Sequence, residues 1–197
     1  MSGSASVQSR LETQLEALDV VLVGTTPALL DWRPASGDWS ARENLAHLAR
    51  HGTVFLERLD RILREETPRL GRYSAEDDPE WPQWSGLPLD EVLRRLKDAR
   101  RRLLAWVGAV SNDQLSRKEV HLSFGAMTIP QWLEFFLLHE AHHLYTAMLR
   151  IRRGPTHPVL TRRGGRALGG GLISAVQADG VGPGSAPNST GAVRDIR

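Results

Sequence analysis

The chain has 197 residues, 41% of them hydrophobic, which suits one globular domain with a core of ordinary size. It contains no cysteine, so disulfides, cysteine-ligated zinc and a cysteine nucleophile are excluded. The formal net charge is +2, but residues 154–197 carry five arginines and two aspartates, which leaves about −1 for residues 1–153. A near-neutral domain is not expected to bind nucleic acid.

The sequence shows no sign of a membrane protein. No apolar run approaches the ~18 residues that a membrane-spanning helix needs. The first residues, MSGSASVQSRLETQ, lack the apolar segment of a signal peptide. We therefore expect a cytoplasmic protein that makes no contact with a membrane.

Two amphipathic helices are predicted in the first third of the chain. Four leucines form one apolar stripe at helical spacing: Leu11, Leu15, Leu18 and Leu22. Farther along, Ser40 and Glu43 form a capping box, in which the serine side chain accepts from the Glu43 N–H and the glutamate reaches back. A second helix should therefore begin at about Ala41 and end before Pro68.

Residues 66–88 are predicted to form a long loop with four prolines and three large aromatic side chains. Loops of this length are often functional. Pro88 opens a third helix, whose apolar side is expected to carry Val92, Leu96, Leu103, Val107 and Val110. Its other face is expected to be solvated and holds Arg94, Arg95, Lys97, Arg101 and Arg102.

A fourth helix is predicted from about Ile129 to Arg152. It begins at a second capping box, formed by Thr128 and Gln131, with a proline tolerated in its first turn. Residues 120–127, just before it, are predicted to form a short extended turn around a glycine. Four amphipathic helices predict an all-α fold, a four-helix bundle.

The composition changes at Gly154, where Gly, Pro, Ser and Ala become frequent. Such a segment buries too little apolar surface to offset the entropy lost on ordering. We predict a bundle formed by residues 1–153 and a disordered, Gly-rich C-terminal tail formed by residues 154–197.

The fourth helix contains the string HEAHH, from His139 to His143. These two histidines differ by about 40° around a helix, so both rings share the face that also carries Trp132 and Phe136. Two imidazoles on adjacent turns can bind one divalent ion. The spacing also fits the zinc-protease pattern H-E-x-x-H. However, no glutamate follows His143 and no strand is predicted beside the helix, so we do not expect a protease.

The second helix offers a third ligand, from His47 or His51. Periodicity leaves this choice open and slightly favours His51 as the inward residue. His121 and His157 lie in predicted turns and are weaker candidates, and His142 is expected to face solvent. The alternative is that the histidines are ordinary packed residues. Two pairs at i, i+4 on two amphipathic helices favour metal binding over that alternative.

The two motif-bearing stretches together resemble a known family. WSARENLAHL, from Trp39 to Leu48, and FGAMTIPQWLEFFLLHEAHHL, from Phe124 to Leu144, are similar to the DinB-like (DinB/YfiT-like) family of metalloenzymes. The resemblance covers most of residues 10–152.

The resemblance implies a four-helix bundle that holds a divalent metal with three histidines, one from the second helix and two from the last. At the matching motif positions these are His47, His139 and His143, which leaves His51 beside the site. We expect zinc, with nickel, iron and manganese as alternatives, because imidazole ligands suit several of these metals. Independently of the resemblance, Glu140 lies about 60° from His143 around the helix and is the candidate catalytic base or a hydrogen-bond partner of a metal ligand; the alternative is a solvent-facing acid.

Two classes of function are compatible with this site. The first is a metal-dependent enzyme acting on a small molecule, either a hydrolase or a transferase that uses a low-molecular-weight thiol such as bacillithiol or mycothiol, as some relatives of the family do. The second is a non-catalytic, metal-stabilised stress-response or interaction protein. A homodimer is expected as the assembly in either case.

Overall fold

Four long helical segments form the fold in a computed structural model that describes residues 2–66, 68–121 and 124–155. The first segment is α1 (Ser2–Thr13), continued through a 3₁₀ turn (Gln14–Glu16) into α2 (Ala17–Val21); the others are α4 (Ala41–Arg64), α6 (Leu89–Ala109) and α8 (Ile129–Arg153). Three short helices lie in the connections: α3 (Pro27–Asp31), α5 (Trp81–Ser85) and α7 (Asn112–Leu115). The predicted four-helix bundle is confirmed.

The helix starts lie where the capping boxes predict them. At the start of α4 the Glu43 N–H donates to Ser40 Oγ over 3.2 Å, and the Ser40 N–H donates to the Glu43 carboxylate over 2.8 Å. At the start of α8 the Thr128 N–H donates to Gln131 Oε1 over 2.8 Å. These reciprocal bonds satisfy backbone donors that a helix end otherwise leaves unpaired.

The first helix is interrupted where the sequence predicts one continuous stripe. At the 3₁₀ turn the Gln14 side chain donates to the Leu137 carbonyl and to the Glu140 carboxylate. Leu11 and Leu18, on either side of the turn, are both buried in the core. The segment therefore packs along α8 with an interruption that the leucine spacing does not reveal.

A small three-stranded sheet replaces the predicted extended turn. Strands β2 (Lys118–His121) and β3 (Gly125–Thr128) pair antiparallel, and β1 (Arg69–Leu70) pairs with β2 in parallel. Gly125 begins β3 with φ 72°, a backbone conformation that favours glycine. The expectation that no strand lies beside the last helix was wrong, because β3 leads directly into α8. Strands of two to four residues are too short to show a clear period.

The described part of the chain ends just beyond α8. Gly154 is buried against Leu29, and its N–H donates to the Arg150 carbonyl over 2.9 Å. Residues 156–197 lie outside the described residues, so the disordered tail and the boundary at residue 153 stay predictions. Among the described residues no helix is both long and apolar enough to span a membrane.

Candidate metal centre

Three histidines from α4 and α8 meet between these two helices. His47 lies on α4, and His139 and His143 lie one turn apart on α8. One ring nitrogen from each lies within 4.8 Å of the other two. His47 and His143 are buried, and His139 is half-buried. The structure therefore brings together the three ligands that the family resemblance implies.

The spacing of these nitrogens suits a single ion. Nε2 of His47 and Nε2 of His139 lie 3.2 Å apart. Two nitrogens that bind one ion at 2.0–2.1 Å with tetrahedral angles are about 3.3–3.4 Å apart. In the described residues no other group of three His, Asp or Glu side chains has such spacing. The donor set consequently fits one divalent cation.

Burial keeps the three rings uncharged. Burial, followed by the effect of a neighbouring histidine, lowers the pKa of His47 to about 3 and that of His139 to about 4. Burial and the other histidines also hold the pKa of His143 well below its usual range. All three rings are therefore neutral at pH 7, with lone pairs free to bind a cation.

His51 borders the site without joining the group of three. Its ring is buried, lies 4.1 Å from the His139 ring between centroids, and stacks on Phe136 at 5.8 Å. Periodicity was right that His51 points inward, and the structure places His47 inward as well. His51 thus sits where the sequence analysis expected a neighbour of the metal ligands.

Glu140 is not at the site, contrary to its prediction as a base. Its side chain is buried, so the solvent-facing alternative was also wrong. Arg100 of α6 binds both carboxylate oxygens, at 2.5 and 2.6 Å, and Gln14 donates to the same carboxylate over 2.8 Å. The carboxylate is therefore committed to a contact with α6 and the first helix.

Among the described residues, His121 and His142 lie outside the group of three histidines. His142 is exposed on α8, as predicted. His121 lies on β2 with its ring 4.7 Å from Phe124 and 5.4 Å from Trp132. His157 lies outside the described residues.

Aromatic rings surround the histidines on the side of the long loop. Trp39 lies 4.9 Å from the His47 ring, and Trp81 lies 5.0 Å from Trp39 and 6.2 Å from His47. Tyr73 lies 5.8 Å from His47 and 5.6 Å from His51. Trp84, by contrast, is buried in the core. The predicted functional loop thus sends two of its three aromatic side chains to the site.

An ion pair fixes this loop to α4. Arg50 binds Asp78 over 2.7 Å, and both side chains are largely buried. Asp78 also accepts from the Tyr73 hydroxyl over 3.0 Å. Burial, followed by this hydrogen bond, raises the pKa of Tyr73. Tyr73 is therefore a neutral hydrogen-bond donor held over the histidines.

Sequence reasoning missed two residues that contact the three histidines. Trp39 precedes the cap of α4, a position where apolar side chains often pack back onto the helix, and this was an available signal. Asn44 lies on the first turn of α4, with Oδ1 2.8 Å from Nδ1 of His143. The contact between Asn44 and His143 depends on how α4 and α8 pack together, and no local sequence pattern indicates it.

The chain resembles known proteins in both sequence and structure. The sequence model of the DinB superfamily matches residues 10–147. The chain is 27% identical over 150 residues to the uncharacterized protein YuaE of Bacillus subtilis, covering 70% of this chain and 89% of YuaE. It is also 27% identical over 118 residues to an Oceanobacillus iheyensis protein named as a candidate metal-dependent hydrolase, covering 58% of this chain and 66% of that protein.

A solved structure confirms the fold. YfiT from Bacillus subtilis superposes with a TM-score of 0.65, at 21% identity, over 76% of this chain and 86% of YfiT. YfiT is described as a probable metal-dependent hydrolase with an unusual four-helix bundle topology. At this identity the likeness shows the fold alone.

Proposed function

The chain belongs to the DinB superfamily, and we propose that it is a metal-dependent hydrolase in which His47, His139 and His143 hold one divalent ion. The observation that carries the proposal is the convergence of three neutral imidazoles, two of them buried and one half-buried, with the Nε2 atoms of His47 and His139 3.2 Å apart. The names of the O. iheyensis protein and of YfiT support the same class of activity. Zinc is the metal we propose, since three imidazoles suit it well.

The donor set determines what the site offers. A divalent ion bound there would supply Lewis-acid polarisation and a water of lowered pKa. The three neutral rings add no negative charge, so they leave the charge of the cation undiminished. No Asp or Glu among the described residues joins the group. The proposed reaction therefore uses solvent as its nucleophile and assigns no carboxylate as base.

The surroundings suggest the class of substrate. Trp39 and Trp81 provide half-buried aromatic surface beside His47, and Tyr73 provides a third ring. Such surfaces bind small, partly apolar molecules. We propose a small ester or amide with an apolar group that packs against these rings.

The test is hydrolysis of a panel of small aromatic esters and amides by the zinc-loaded full chain. We expect turnover by wild type and by His142→Asn, which alters an exposed histidine on the same helix, and none by His47→Asn. Ester hydrolysis that is unchanged in His47→Asn would contradict the proposal.

Parallel assays separate the alternatives. Turnover only when an electrophile and a low-molecular-weight thiol are both supplied would replace the hydrolase with a thiol-dependent transferase, whose thiol must come from outside because the chain has no cysteine. Metal-dependent cleavage of casein would establish a peptidase. Silence in every assay, with stoichiometric zinc bound, would favour the non-catalytic, metal-stabilised protein.

A further inference from the structure

One of the three metal-binding histidines differs from the others in how its second nitrogen is held. Nδ1 of His143 lies 2.8 Å from Oδ1 of Asn44, within the buried contact between α4 and α8. The Nδ1 atoms of His47 and His139 are buried and have no hydrogen-bond partner among the described residues. Asn44 therefore acts on one ring of the three.

The orientation of the Asn44 amide is fixed by two backbone carbonyls. Its Nδ2 donates to the Ser40 carbonyl over 2.8 Å and to the Trp39 carbonyl over 3.4 Å. Carbonyl oxygens only accept, so the NH₂ group must face them and Oδ1 must face His143. The amide cannot be flipped without placing an oxygen against these acceptors.

This orientation determines the tautomer of the ring. Oδ1 of Asn44 can only accept, so the nitrogen that faces it must carry a proton. His143 is thereby held as the Nδ1–H tautomer, and its free lone pair is on Nε2. In many metal sites the nitrogen that does not bind the metal donates to an oxygen in this way, which fixes both the tautomer and the orientation of the ring.

The two carbonyls that hold Asn44 are themselves fixed. Ser40 is the cap of α4, tied by its reciprocal bonds with Glu43. The Trp39 carbonyl also accepts from Nε of Arg150 on α8 over 3.1 Å. A chain of contacts consequently runs from the capping box through Asn44 to His143. These contacts connect the stretch WSARE, from Trp39 to Glu43, with His143 on α8.

We propose that Asn44 is a positioning residue of the metal centre: it holds His143 in the tautomer that presents Nε2 to the ion. The proposal rests on the proposed function, because the choice of tautomer matters only where Nε2 binds a cation. Loss of the contact should weaken metal binding by roughly 10–100-fold, the usual effect of removing such a partner.

Two variants isolate the role of Asn44. Asn44→Leu keeps similar volume but removes the acceptor for Nδ1–H. Ser111→Ala is the matched control: it removes the same kind of serine cap from α7, should lower the melting temperature, and the side-chain hydrogen bond it loses is with the Gln114 N–H. If the role of Asn44 were purely structural, the two variants would have the same tautomer of His143 and the same affinity for Zn²⁺.

The experiment uses two readouts on the full chain. Long-range ¹H–¹⁵N correlation spectra of metal-free protein report which nitrogen of His143 is protonated, and competition with a chromogenic chelator measures the affinity for Zn²⁺. We expect Nδ1–H on His143 in wild type and in Ser111→Ala, with equal affinities for Zn²⁺. Asn44→Leu should lose this preference and bind Zn²⁺ roughly 10–100-fold more weakly.

Two results would overturn the inference alone: an Nε2–H tautomer of His143 in wild type, or unchanged zinc affinity in Asn44→Leu. The wild-type spectrum provides this test even where Asn44→Leu does not fold. Failure of wild type to bind zinc would instead overturn the proposed function, and with it the role of Asn44 toward a metal.

Discussion

Arg100 on α6 binds both carboxylate oxygens of Glu140 on α8 inside the core of the bundle. The two side chains are only 6% and 1% exposed. Arg100 also donates to the Leu11 carbonyl, and Gln14 donates to the Glu140 carboxylate. A single buried polar cluster therefore connects the first helix, α6 and α8.

Breaking this pair from one side should destabilise the fold. Glu140→Leu leaves a buried guanidinium without its carboxylate, which typically costs about 3–5 kcal/mol. The double variant Arg100→Met/Glu140→Leu should recover most of that loss because no buried charge remains. Urea denaturation measures both free energies of unfolding.

The control is Asp98→Asn, which breaks the exposed Arg101–Asp98 pair on α6 and should change stability by less than about 1 kcal/mol. Glu140→Leu should keep the proposed zinc site, since the carboxylate is bound by Arg100 and Gln14 and is not one of the three grouped side chains. A Glu140→Leu protein as stable as wild type would show that the pair is not formed.

The buried histidines should make the metal-free protein sensitive to acid. In the unfolded chain they titrate near pH 6.5, whereas burial lowers the pKa of His47 to about 3 and that of His139 to about 4. Below pH 6.5 the unfolded state binds protons that the folded state does not, so stability falls as the pH drops towards 4 and 3.

The urea midpoint measured between pH 7.5 and 4 tests this dependence. His47→Asn/His139→Asn should show a shallower loss of stability with acid, and His142→Asn, on the exposed side of α8, should follow wild type. If the urea midpoint fell equally steeply with pH in wild type and in the double variant, the lowered pKa values of His47 and His139 would be contradicted.

Glu119 on β2 should give the opposite dependence on pH. Its side chain is fully buried, Oε1 accepts from the Leu70 N–H over 3.2 Å, and burial raises the carboxyl pKa from 4.5 to about 7. Between pH 4.5 and 7 the unfolded state releases a proton that the folded state keeps, so stability falls as the pH rises.

Glu119→Gln removes the carboxyl group whose ionisation lowers stability, and its amide oxygen can still accept from the Leu70 N–H. We expect its melting temperature to match wild type near pH 4.5 and to exceed it above pH 7. Glu57→Gln, at an exposed position on α4, is the control and should show no such crossover. A Glu119→Gln variant less stable than wild type at pH 8 would contradict the prediction.

The C-terminal segment should be dispensable for folding. A chain that ends at Pro155 should melt at the same temperature as the full chain, because residues 156–197 have the composition of a segment without a core. Ending the chain at Arg153 should cost stability, because Gly154 packs against Leu29. Thermal melts followed by circular dichroism compare the three chains, and a large loss on ending at Pro155 would show that the segment packs on the bundle.

The parts of the fold that are encoded locally could be predicted from the sequence. The starts of α4 and α8 follow from capping boxes spanning four residues, and the pairing of His139 with His143 follows from helical spacing. The choice of His47 needed the family motif. Periodicity assumes one buried face, but α4 contacts α3, α5, α6 and α8, and every residue from Glu43 to Ala49 is buried.

The parts that depend on packing between distant segments could not be predicted. Glu140 was assigned from its angle beside His143, and only the assembled bundle shows that Arg100 reaches it. One signal existed, because Arg100 lies four residues after Leu96 and three before Leu103, on the apolar stripe of α6. The contact of Asn44 with His143 joins residues 99 positions apart and has no local pattern.

Metal content is the most direct test of the three-histidine site. Purified metal-free chain would be exposed in turn to zinc, nickel, iron and manganese, dialysed, and analysed by elemental mass spectrometry, with His47→Ala, His143→Ala and His51→Ala in parallel. We predict about one zinc ion per chain in wild type and in His51→Ala, and loss of most metal from the other two variants. The three-histidine site would be contradicted if wild type took up none of the four metals stoichiometrically. It would also be contradicted if His51→Ala lost the metal while His47→Ala retained it.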